Sequence, residues 1–125
     1  MRILLDTHIF YWLSYEQHKL SRATRAILDD ADVVYVSAVS FWEIAIKVKA
    51  GKLKADISEL MSSLEAANLI ELPVLARHTP LISILPLHHA DPFDRLLIAQ
   101  AMSEPLHLLT ADPKFKQYSE LVIEV

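Results

Sequence analysis

The 125-residue chain has no cysteine and a single glycine, Gly51, and these two shortages already narrow its chemistry. Without thiols there is no disulfide, no thiolate nucleophile and no sulfur-bound metal. Walker loops and dinucleotide fingerprints need several glycines so that the backbone can approach phosphate, and neither can be built here. No apolar run approaches the roughly 20 residues that cross a bilayer. The opening Met1-Arg2-Ile3-Leu4-Leu5-Asp6 meets an acid too soon for a signal peptide, so a cytoplasmic protein without a membrane anchor is expected. Basic charge is scarce as well: 12 Lys and Arg against 16 Asp and Glu leave a formal net charge of −4. That balance argues against gripping nucleic acid by bulk charge. It is compatible with an enzyme whose acidic site holds cations that then face phosphates.

What is present suits one domain, 1–125, with a core of its own. Hydrophobic residues make up 53% and charged ones 22%, a mixture that excludes a disordered or fibrous chain. Residues 2–6 read as a buried strand ending on Asp6, and Val33-Val34-Tyr35-Val36 as a β-branched strand ended by Ser37. Leu69–Leu72, 106–110 and 121–123 are further short strands. Between them the apolar spacing predicts helices over His8–Leu13, Ser21–Ala31, Val39–Lys49 and Pro92–Ser103. Gly51 closes the third as a left-handed cap. Asp56 or Ser58 opens a helix running through Leu60, Leu64 and Ala67, with Asn68 as its stop. Val74 to Leu85 is a weaker helix interrupted by Pro80. Strands alternate with helices and two-residue hairpin signals are missing, which favours a parallel α/β/α sandwich.

The densest stretch is His89-Ala90-Asp91-Pro92-Phe93-Asp94-Arg95. Asp91 before Pro92 has the form of an N-cap followed by proline at the first helical position. Asp94 falls at the third position, where a carboxylate meets the positive end of the helix dipole. Helix initiation accounts for both acids; Asp94 also admits a second reading, as a metal ligand held at a fixed angle on a buried helix. Asp6 lies at the carboxyl end of the first strand, and Asp112 just beyond the 106–110 strand. Glu43 sits in the helix entered from the 33–36 strand. In open parallel sheets those ends form the ligand crevice, and oxygen-rich clusters suit Mg²⁺ or Mn²⁺. Each acid has a structural alternative: a turn at Asp6, a capping box from Ser40 to Glu43, and a cap-then-proline at Asp112-Pro113. Thr7 and Thr110, beside the strand-end acids, orient either a ligand or a turn. His88 and His89 are adjacent, so they do not both point at one metal, and they are taken as surface or loop residues. Lys47, Lys49, Lys52 and Lys54 form a solvated face or meet a phosphate backbone near Glu43.

The combination resembles a known family. Ile-Leu-Leu-Asp6-Thr7-His8, Ser37-x-x-Ser40-x-Trp42-Glu43-Ile44-x-x-Lys47 with Gly51-Lys52-Leu53, His89-x-Asp91-Pro92-Phe93-Asp94-Arg95, and Leu109-Thr110-Ala111-Asp112 follow PIN-domain nucleases in order and spacing. The likeness is greatest to the VapC-type toxins of bacterial toxin–antitoxin pairs. The resemblance implies a five-stranded, mostly parallel sheet and a Mg²⁺- or Mn²⁺-dependent endoribonuclease that leaves 5′-phosphate and 3′-hydroxyl ends. Carried over residue by residue, its acids are Asp6, Glu43, Asp94 and Asp112. Asp6 and Asp94 bind metal directly, and Glu43 and Asp112 directly or through water. Thr7, Asp91 and Thr110 support them, and Lys47, Lys49, Lys52 and Arg95 are candidate RNA contacts. It further implies a homodimer, an antitoxin partner for which Trp12, Phe41 and Trp42 are candidate anchors, and DNA contact only through an antitoxin complex. An inactive PIN-fold binding module and a housekeeping RNA-processing nuclease are the alternatives. A phosphoacceptor receiver domain needs an acid pair where Asp6-Thr7 stands, and a haloacid-dehalogenase phosphatase needs an acid where His8 stands.

Overall fold

Ile3, Leu4 and Leu5 are wholly shielded from solvent, as a strand covered on both faces requires. In the computed structural model, which describes residues 1–125, this strand is β1 (Arg2–Leu5), the middle of a five-stranded sheet. Its companions are β2 (Val33–Ser37), β3 (Leu69–Leu72), β4 (His107–Thr110) and β5 (Val122–Glu124). The order is β3-β2-β1-β4-β5 and every pairing is parallel. Five α-helices connect them: α1 (Thr7–Tyr15), α2 (Arg22–Asp30), α3 (Ala38–Lys49), α4 (Ile57–Ser63) and α5 (Pro92–Ser103). Ile3 and Leu5 point into a core shared with Ile9, Phe10, Ile44 and Leu60, from α1, α3 and α4. Leu4 points into the opposite core, with Leu97, Ile98 and Ala101 of α5. The result is the expected three-layer α/β/α sandwich.

All five helices start on a side chain that accepts a backbone N–H: Asp6, Ser21, Ser37, Asp56 and Asp91. Each such cap is worth about 1 kcal/mol. Ser40 and Glu43 have the spacing of a capping box, one of the two readings open for Glu43; Ser37 takes the capping role instead, because α3 begins directly on the end of β2. Gly51 closes α3 with φ +75°, Lys52 N–H bonding back to Lys47 C=O at 2.8 Å. The 74–85 helix does not form. Pro80 removes a donor, and the segment folds as two 3₁₀ turns, Ala76–His78 and Pro80–Ser83. α4 likewise stops at Ser63 and reaches Asn68, at φ +56°, through turns.

The order of the strands decides where a site can be. From β1 the chain winds outward through β2 and β3, then returns to the other side of β1 with β4 and β5. The reversal falls between β1 and β4. Successive connections diverge there, leaving a crevice at the strands' carboxyl ends.

Candidate metal centre

Asp6 and Thr110 stand on the two sides of that crevice. Asp6 follows β1, is 3% exposed, and caps α1 by accepting from the Ile9 N–H at 2.7 Å through Oδ1. Its other oxygen, Oδ2, accepts from the hydroxyl of Thr110. Thr110 Oγ1 in turn accepts the Asp112 N–H at 3.0 Å, which sets the turn carrying Asp112. Asp112 caps the 3₁₀ turn Pro113–Phe115 through Oδ1, leaving Oδ2 facing the crevice side. A shallow cleft of about 240 Å³ opens here, lined by Asp6, His8, Trp12, Ala111 and Asp112.

α3 contributes from the next strand end. Thr7 and Ser40 share a hydroxyl–hydroxyl bond of 2.9 Å that ties the start of α1 to the first turn of α3. One turn on, Glu43 is 3% exposed. Its Oε2 accepts from Lys47 Nζ at 2.7 Å, while Oε1 is buried and has no partner. A buried carboxylate oxygen with nothing to accept from carries a desolvation cost that a cation would offset.

α5 supplies the remaining acid, Asp94. Asp91 Oδ1 accepts from the N–H groups of Phe93 (2.8 Å) and Asp94 (3.2 Å), so Asp91 is the cap the sequence announced. Asp94 is then aimed inward and meets His89, whose Nε2 lies 2.7 Å from Asp94 Oδ2 and 3.6 Å from Asp112 Oδ2. Both histidines lie in a loop, as expected, but they are not equivalent. His88 is exposed, but His89 folds back over the first turn of α5. Adjacent histidines do point apart; that leaves one of them free to enter the site. The usable signal was its place two residues ahead of the cap, where the chain turns back across the helix start.

Arg95 departs from its expected role. A phosphate contact needs free donors, but this guanidinium is spent on the chain itself. It donates to the carbonyls of Ile82, Leu85, Pro86 and His89 and to Tyr118 Oη, at 3.0–3.3 Å. It pins the segment leading to His89. Of the lysines, Lys47 is engaged by Glu43, whereas Lys49 and Lys52 are exposed beyond it on α3 and its cap.

The charges explain what the arrangement lacks. Burial, with the carboxylates of Asp91, Glu43, Asp6 and Asp112, pushes Asp94 up to about 8. Burial also raises Asp6, against the lowering effect of its bonds to Thr110 and Ile9 N–H. Carboxylates gathered this closely do not all ionise without a counter-charge, and their protons belong to the group rather than to one residue. A divalent cation fits: the donors are hard oxygens, one is orphaned, and His89, Asp94 and Asp112 offer ligand atoms within 4.8 Å of one another.

The comparisons agree with this architecture. The PIN domain family model matches residues 3–121. Ribonuclease VapC22 of Mycobacterium tuberculosis is 29% identical over 127 aligned positions, spanning 93% of this chain and 91% of its own length. The structure of VapBC2 from Rickettsia felis, bound to a DNA fragment from their promoter, includes a chain that superposes with a TM-score of 0.70 at 18% identity, covering 100% of this chain and 98% of that one. FitAcB from Neisseria gonorrhoeae gives 0.60 at 19% identity, with 90% and 89% covered. At such identities the two structures speak to fold alone. The family model extends over nearly all of the sequence, and the chain belongs to the PIN-domain family.

Proposed function

We propose that this chain is a Mg²⁺- or Mn²⁺-dependent endoribonuclease, one PIN domain over 1–125, acting as the toxin of a toxin–antitoxin pair. The observation that supports the reading is the mutual repulsion of Asp6, Glu43, Asp94 and Asp112, felt most clearly at Asp94, with Glu43 Oε1 buried and unpartnered. Asp6 and Asp94 hold the cation directly in this reading, with Glu43 and Asp112 doing so directly or through water. A divalent cation bound there lowers the pKa of a water and offsets charge on the phosphorus oxygens. Attack in line at phosphorus, with rupture of the P–O3′ bond, leaves a 5′-phosphate and a 3′-hydroxyl. Thr110 and Lys47 keep Asp6 and Glu43 in place, and Asp91 fixes the angle of Asp94.

The partners follow from the relatives. A chain similar to a VapC ribonuclease and folded like part of VapBC2 is read as having its own antitoxin, and as touching DNA only through that complex. A homodimer in the cytoplasm completes the proposal. Trp42, 61% exposed and edge-on to Phe93 at 5.0 Å, is the anchor we assign to protein contact near the site.

The test is cleavage of a mixed RNA pool by the purified chain. Activity is expected with Mg²⁺ or Mn²⁺, none with chelator, and a loss of about 100-fold or more in Asp6→Asn or Asp94→Asn at unchanged secondary structure. Full cleavage in chelator, or by either variant, overturns it.

A further inference from the structure

We propose that His89 is a ligand of the cation at this centre, through Nε2, so that the donor set mixes nitrogen with oxygen. The proposal rests on the metal-dependent reading above and goes beyond it, because the four acids alone make an all-oxygen site.

The geometry is that of ligands around one ion. Cis ligands at about 2.1 Å from a cation stand roughly 3 Å apart. Nε2 of His89 is 2.7 Å from Asp94 Oδ2 and 3.6 Å from Asp112 Oδ2. The first distance is also a hydrogen bond; the second is too long for one, and lies within reach both of an ion pair and of two ligands on one cation. On the far side of the ring, Nδ1 faces the Asp91 N–H at 3.5 Å, the outer limit of a hydrogen bond. In that contact Nδ1 accepts, so the ring proton of the metal-free chain stands on Nε2 facing Asp94; a cation at Nε2 would displace it to Nδ1 at the loss of this one long bond.

The residue is also held as a working group is held. Its N–H donates to Tyr118 Oη at 2.8 Å, and its C=O accepts from Arg95 Nη1 at 3.3 Å. The imidazole sits edge-on against Phe115, 5.8 Å between centroids. A loop side chain fixed at backbone and ring by three other residues is pre-organised. Independently, the buried Oε1 of Glu43 has no partner, and its carboxylate charge is felt at both Asp6 and Asp94, which adds an acceptor in want of a cation near these acids.

An imidazole donor changes which ion is favoured. Mg²⁺ prefers an oxygen shell, while Mn²⁺ and later first-row ions accept imidazole readily. His89 therefore biases the centre toward Mn²⁺.

The experiment loads the full chain with Mn²⁺ and records nitrogen hyperfine coupling by electron spin-echo spectroscopy, alongside calorimetric affinities for Mn²⁺ and Mg²⁺. His89→Ala and His89→Gln are compared with His8→Ala, since His8 lines the adjoining cleft. Coupling is expected in the wild type and His8→Ala and is expected to vanish in both His89 variants. Mn²⁺ affinity should drop about tenfold or more, and Mg²⁺ affinity by less. Mn²⁺ bound without nitrogen coupling in the wild type overturns the proposal, and that measurement needs no variant to fold. Coupling that survives His89→Ala and disappears in His8→Ala overturns it too. Failure of the wild type to bind Mn²⁺ at all would overturn the metal-dependent reading itself, and this proposal with it.

Discussion

The hydroxyl of Thr110 donates to the carboxylate of Asp6, tying the ends of β4 and β1 across the point where the strand order reverses. The same hydroxyl accepts the Asp112 N–H, so one buried oxygen sets two of the four acids. Thr110→Val keeps the shape and removes both bonds. The expected cost is about 1–3 kcal/mol in denaturant melts, because Asp6 Oδ2 and the Asp112 N–H lose their buried partners. Cleavage should fall about tenfold, with Thr110→Ser restoring most of both.

Asp94 makes the metal-free protein sensitive to base. Its carboxyl is pushed up to about 8 from an ordinary 3.8. Between those values the folded chain holds a proton that the unfolded chain has released. Stability therefore falls as pH rises through that window. Asp6, raised in the same direction by burial, adds to it. Glu104, held low chiefly by its bond to His78, acts oppositely but only at the acid end. In chelator, the melting temperature should drop by about 5 °C or more between about pH 5.5 and pH 8.5. Asp94→Asn should flatten the profile; a wild-type profile that is level or rising contradicts the argument.

Added cation should reverse that slope. A ligand that binds only the folded state stabilises it by mass action, and most where the carboxylates are ionised. The gain in melting temperature with Mn²⁺ should be larger at about pH 8 than at about pH 5.5. An equal or smaller gain at the higher pH counts against binding at these acids.

Arg95 predicts a structural phenotype rather than a binding one. Arg95→Ala releases four carbonyls and the Tyr118 hydroxyl at once. A loss of about 2–4 kcal/mol is expected, with faster proteolysis between residues 82 and 90.

Lys49 and Lys52 predict the converse. Both are exposed, so Lys49→Ala with Lys52→Ala should leave stability within about 0.5 kcal/mol. RNA affinity should weaken, and the slope of log affinity against log salt should shrink by about 0.7 per lost phosphate contact. An unchanged slope removes these lysines from the RNA path.

The sequence displayed local features well and distant ones poorly. Asp91-Pro92, Ser21, Asp56 and Gly51 act within a few residues of themselves, and the structure uses each as a cap or stop. The missing hairpin signals led to a parallel sheet. Nothing local encodes the order β3-β2-β1-β4-β5, because it depends on which apolar faces pack after the strands form. Ser37 and Ser40 had interchangeable chemistry; the point at which β2 turns into α3 decided between them. His89 and Arg95 are likewise placed by contacts that their own sequence positions do not announce. His89 is placed by Tyr118, Phe115 and Asp112, all more than 20 residues further along the chain, and Arg95 by a loop that folds back over it from residues 82–89.

The tie between Asp6 and Thr110 joins positions 104 residues apart. β1 comes early in this sequence, whereas its partner β4 and the acids Asp94 and Asp112 come far later in it. The crevice closes only when contacts of long sequence separation form, the slow kind in folding. A partly folded chain, with β1 and α1 formed but β4 still unpaired, therefore has no assembled centre.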